Sequence, residues 1–216
     1  MTEYVYVGIS AERVILGPMS APTFWQSFEG VVHNISQMSE SELREINWLP
    51  VEYTNEPTIY ETLSAVTVLV ETSSVSITYE TTYIPLEEIQ NIRTRQVNEI
   101  RDEKLNGGFI YGGYFFDSDE DAKRNIQGVV SSYDILALQG VSANPIDWTL
   151  ADNTIITIQP DDMISLGLSF TNYTSLIYMT ARTIKNQILN CSTEVSAIAF
   201  DITQGWPSNN LGGTIS

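Results

Sequence analysis

Residues 57–105 read PTIYETLSAVTVLVETSSVSITYETTYIPLEEIQNIRTRQVNEIRDEKL, and the period of the chain changes inside this stretch. Up to Ile84 it is dense in Thr, Val, Ile and Tyr, residues that fit a pleated surface, and Thr72-Ser73-Ser74 breaks it into two long strands joined by a turn. In the second strand Val75, Ile77 and Tyr79 alternate with Ser76, Thr78 and Glu80, so one face of the sheet is apolar and the other is wet. Pro85 then stands where it can start a helix, and residues 86–105 carry acids first and bases later, in agreement with the helix dipole. Leu86, Ile89, Ile92, Val97, Ile100 and Leu105 make an apolar stripe, which fits either a helix lying on its own sheet or a coiled-coil-like seam pairing identical chains.

Strand pattern on one side and helix pattern on the other predict an α+β fold. Three parts are expected: an antiparallel β-rich N-terminal module over 1–85, a connecting helix over 86–106, and a mixed C-terminal module over 107–216 with a β-hairpin and a long amphipathic helix. Toward the N-terminus, YVYVGI (4–9) and RVILGP (13–18) form a hairpin around Ser10-Ala11-Glu12. Residues 23–37 are aromatic-rich without a clean period, and Ser39-Glu40-Ser41-Glu42 is a capping-box pattern opening a short helix to Ile46. Toward the C-terminus, Gly112-Gly113 turns a tight hairpin within FIYGGYFF, a helix spans about 118–138, and two strands flank an Asp152-Asn153 turn. Gln159-Pro160-Asp161-Asp162 then starts the longest helix, in which Met163, Leu166, Phe170, Tyr173, Ile177, Ala181, Ile184 and Ile188 step by three or four. At about 1.5 Å per residue this helix is roughly 45 Å long, which predicts that one end or face meets another chain.

Acids outnumber bases 27 to 10 in 216 residues, a formal net charge of -17. Clustered Lys and Arg are what a phosphate backbone or an anionic membrane requires, so neither nucleic acid nor such a membrane is an expected partner. The imbalance is steepest at the front: through Ile92 only Arg13 and Arg44 are basic. Cys191 is the lone cysteine, which excludes an intrachain disulfide and a thiolate metal cage and suits a reducing cytoplasm. The first residues show no basic-then-apolar leader, and no apolar run reaches the roughly 18 residues of a membrane span. The three Asn-x-Ser/Thr tripeptides at Asn34, Asn172 and Asn190 carry no weight without export.

Catalytic signatures are missing. His33 is the sole histidine, there is no G-x-S-x-G elbow, and neither a dinucleotide nor a Walker glycine pattern occurs. The acidic run DSDEDAKRNI lacks the glycine and terminal glutamate of a calcium loop and reads as a helix cap, with Asp117 the expected capping residue. No catalytic, cofactor-binding or metal-binding residue is therefore assigned, and no cofactor is expected. Trp25, Trp48, Trp148 and Trp206 suit either a core or an interface; Trp148, Tyr111 and Phe115 suit the second module's core.

Arg101-Asp102 before a glycine, GFIYGGYFFDSDEDAKRNI, Trp148 followed by Ala151-Asp152-Asn153, Ala181-Arg182 with Lys185, and a closing FDITQGWP occur in order over residues 95–207. In this the back half resembles a family of tailed-bacteriophage proteins found near tail-fibre and baseplate genes. The resemblance implies a structural, non-enzymatic role in a virion tail, made in the host cytoplasm, with other tail proteins as partners and a homo-oligomer, a trimer, as the expected state. It equally implies a tail-fibre assembly chaperone that leaves the mature particle. A polysaccharide-degrading enzyme is the remaining alternative and requires a carboxylate pair in a cleft.

Overall fold

A computed structural model describes residues 3–7, 14–20, 22–26 and 31–216. The fold is α+β, and the chain divides between Ile84 and Pro85 into two compact units.

The first unit contains β1 (Tyr4–Val7), β2 (Val14–Met19), β3 (Trp25–Gln26), β4 (Val32–His33), a 3-10 turn at Ile35–Gln37, α1 (Glu40–Glu45), β5 (Trp48–Thr54), β6 (Glu61–Val70) and β7 (Val75–Tyr83). The hairpin expected from residues 4–18 forms as β1 and β2; its turn, Ser10-Ala11-Glu12, lies outside the described residues. The capping box is present: Glu42 N–H donates to Ser39 Oγ (3.4 Å) and Ser39 N–H to the Glu42 carboxylate (2.8 Å). Asn47 at φ 63° then closes the helix.

Five strands assemble in the order β2-β1-β5-β7-β6. Three of their four pairings are antiparallel, as expected of this module, but β5 and β7 run parallel, so the sheet is mixed. The reason is burial: β7 brings Val75 and Ile77 into the core and takes the interior beside β5, which leaves β6 at the edge. Strand β5 has no period in the sequence and contains Pro50, yet it lies inside the sheet. It pairs with β1 through Trp48–Pro50 and with β7 only from Val51 onward. Because Val51 N–H points to β1, donating to Glu3 O (2.9 Å), the donor that Pro50 lacks would have pointed to the side where β7 has not begun. Alternation sends Val5, Leu49, Val51, Val75 and Ile77 to one face, and Tyr6 and Trp48 to the other, against Ile35 and Leu43.

The second unit contains α2 (Leu86–Asn106), β8 (Phe109–Tyr111), β9 (Tyr114–Phe116), α3 (Glu120–Leu138), β10 (Ile146–Thr149), β11 (Ile155–Ile158), α4 (Pro160–Leu189) and α5 (Glu194–Ala199). Helix α2 is part of this unit, in place of the separate connector expected, and its partner is a helix: Val97 is buried with Ala181, Ile184 and Ile188 of α4 and with Ile202. Gln90 binds the same helix by its end, its Nε2 donating to the carbonyls of Ile188 (3.2 Å), Leu189 (3.3 Å) and Cys191 (3.2 Å), groups a helix terminus otherwise leaves open. Helix α4 keeps all eight of its expected inward residues buried, and Gly167 lets α3 approach at Ile126 and Val130. Phe109 is stacked between Phe116 (5.3 Å) and Phe170 (4.7 Å) at the centre of this core.

Candidate interaction surface

Strand β6, ETLSAVTVLV, is ten residues long and, among the described residues, pairs on one side only, with β7. Its register places Leu63, Val66 and Val68 beside Thr81, Tyr79 and Ile77, on the apolar face of the sheet. That face is covered at Ile77 but not along the edge, where Leu63 is 50%, Val66 46% and Val68 50% exposed. Leu69, on the opposite face beside Ser76, is 56% exposed. Natural sheets blunt their edges with lysine, proline or short strands; β6 has neither residue, is long, and carries one irregularity, between Leu63 and Ala65.

The wet face of this hairpin is as expected, a hydroxyl ladder: Thr54 with Thr78 (2.8 Å), Thr62 with Thr82 (3.2 Å), and Ser64 Oγ donating to Glu80 O (2.8 Å). Acids surround it. The Glu61 carboxylate accepts from Thr58 N–H (3.1 Å), Thr58 Oγ (2.8 Å) and Thr81 Oγ (2.9 Å), bonds that hold it below the ordinary carboxylate range. Tyr53 donates its phenolic proton to Glu3, and that bond, ahead of burial, pushes the phenol up to about 12.

All four tryptophans are at least half-buried in cores: Trp25 and Trp48 with Tyr6 in the first unit, Trp148 and Trp206 against the Phe109 cluster in the second. Tyr111 joins that cluster, whereas Phe115 is 46% exposed. The cap of α3 is Asp119, whose carboxylate accepts from Ala122 N–H (2.8 Å), rather than Asp117; Ser118 is buried and accepts from Gly108 N–H (2.8 Å). His33 lies in β4, paired across from Trp25.

A shallow cleft in the first unit is lined by Glu56, Glu61 and Glu80, and one in the second by Asp161 and Asp162. Among the described carboxyls, Glu42, Glu61, Asp152, Asp162 and Asp201 are held below the ordinary range, each through hydrogen bonds it accepts. Among the described residues no group of three or more His, Cys, Asp or Glu could hold a metal, and no helix is long and apolar enough to cross a membrane.

Residues 88–204 match DUF4376, a domain of unknown function. The chain belongs to this family. The match opens in the first turn of α2 and closes after α5, so the DUF4376 region takes in every named helix and strand of the second unit, and β6 lies outside it. No curated protein and no solved structure matches the chain.

Proposed function

We propose that this chain is a non-enzymatic structural component of a bacteriophage tail, at the baseplate or tail-fibre attachment, working through protein–protein contacts. The observation that carries the contact role is β6: a long edge strand without lysine or proline, with Leu63, Val66 and Val68 half exposed, is costly to keep unless another chain covers it. The tail context is supported by the ordered motifs from Arg101 to Pro207. Copies of the chain meet through the outer face of α4, where Leu168 is 66% and Met179 62% exposed.

Quantitative mass spectrometry of purified particles, scaled to a known tail protein, tests this. A fixed small stoichiometry, a multiple of three for the trimer, is the expected result. Absence from particles despite abundance in infected lysate makes the chain an assembly chaperone instead, one that covers a fibre segment with the same edge.

A further inference from the structure

The edge of β6 has a definite hydrogen-bonding pattern. Glu71 N–H donates to Ser74 O (2.9 Å), and the register continues as Val70 with Val75, Leu69 with Ser76, Val68 with Ile77, Thr67 with Thr78 and Val66 with Tyr79. Bonded and non-bonded pairs alternate along an antiparallel ladder, so Thr67 and Leu69 bond to β7 while the N–H and C=O groups of Val66, Val68 and Val70 point out of the sheet. Among the described residues no strand pairs with this row of donors and acceptors, which has the spacing that an added strand requires.

Charge selects the occupant. Glu61 and Glu71 stand at the two ends of β6, and Glu80 lies directly across from Ala65. The sole bases before Ile84 are Arg13 and Arg44, and Arg44 is engaged in α1 with Glu40 (3.5 Å) and with Ser73 O (3.1 Å). A second copy pairing antiparallel along β6 would set Glu61 near Glu71 of its partner at both ends, between chains that already repel. A basic strand is attracted instead. A strand added outside β6 lies roughly 10 Å from β7, and Ala65 presents only a methyl between them, so a Lys or Arg beside Ala65 reaches over it to Glu80.

We propose that β6 receives an extended strand from a partner protein, with Lys or Arg on the wet face beside Ala65 and aliphatic residues on the other face covering Leu63, Val66 and Val68. This rests on the reading of the chain as an assembly protein and names the chemistry of what it assembles with.

The test uses the full chain and three synthetic octapeptides, alternating valine–lysine, valine–glutamate and glycine–lysine, read by backbone amide hydrogen exchange. Valine–lysine is expected to slow exchange at Val66 and Val68 at least tenfold, with Thr67 and Leu69 unchanged, and the other two peptides to do neither. Glu80→Gln weakens valine–lysine binding roughly two- to fivefold, and Glu80→Lys moves the preference to valine–glutamate. Val68→Pro removes one outward donor and no bond to β7, and is expected to abolish binding; retained protection at Thr67 and Leu69 shows the strand intact. Equal protection by all three peptides, protection elsewhere than Val66 and Val68, or none at saturating valine–lysine overturns the proposal. Those results leave the particle stoichiometry untouched, so loss of strand addition and loss of the tail role are read separately.

Discussion

Two apolar positions one half-turn apart on α4 provide the sharpest check on how the second unit is packed. Phe170 is 3% exposed and Leu168 66% exposed, although both are large hydrophobic residues in the same helix. The Phe170 ring lies 4.7 Å from that of Phe109 at 17°, and Phe109 in turn lies 5.3 Å from Phe116. Phe170→Ala removes the end of this stack and leaves a cavity between α4 and the β8–β9 hairpin, which costs about 3–5 kcal/mol for a buried phenylalanine. Leu168→Ala deletes a side chain that is mostly in water and keeps a strong helix former, so its cost stays within about 0.5 kcal/mol. Urea unfolding followed by circular dichroism at the helical band measures both, because the long helices all lie in this unit. A cost below about 1 kcal/mol for Phe170→Ala, or a cost for Leu168→Ala equal to that for Phe170→Ala, would show that the Phe109 stack does not anchor α4. Sedimentation of Leu168→Ala, run in parallel, reads any self-association through that face at unchanged urea midpoint.

Alkaline stability depends on Tyr53. The folded chain holds its phenolic proton more tightly than the ordinary value of 10.0, up to about 12, so this contribution is whole below pH 10 and is lost as pH rises through 12. Tyr53→Phe is expected to lose less stability than the parent between pH 10 and pH 12, measured from urea midpoints at the two ends of that window; an identical fall would refute the Glu3 bond. Gly108 has φ +76°, a Cβ there would sit 2.9 Å from Phe116 O and against the Phe115 ring, and its N–H is bonded to buried Ser118. Gly108→Ala therefore costs about 2–4 kcal/mol in the same urea assay, and a near-parental midpoint would show that the hairpin base is not held as described.

Elements governed by near neighbours are the ones that were legible. The Gly112-Gly113 turn sits at φ 59° and 85°, Asn153 at φ 65°, and the Ser39–Glu42 box closes as read, because each depends on residues within four positions. The inward stripe of α4 was legible because it repeats from Met163 to Ile188, about seven turns. The C-terminal residues were not: Ile110 N–H donates to Asn209 O (2.8 Å) and Leu211 N–H to Ile110 O (2.8 Å), a parallel bridge between segments a hundred residues apart that no local period announces. Short α5 carries its own capping box, Thr193 with Ser196, a signal of the same kind as that of α1 and one that could have found it.

By itself the sequence determined the longest strands and helices, most of their turns and the acidic balance, since propensity, capping and net charge are properties of neighbouring residues or of simple counts. Tertiary structure alone decided that Pro50 lies in an interior strand, that α2 packs on α4, and that β6 is left at the edge. Those outcomes depend on which buried faces compete for the same partners across the chain: Val75 and Ile77 win the interior place beside β5, and the unsatisfied edge, where the candidate function resides, falls to the strand they displace.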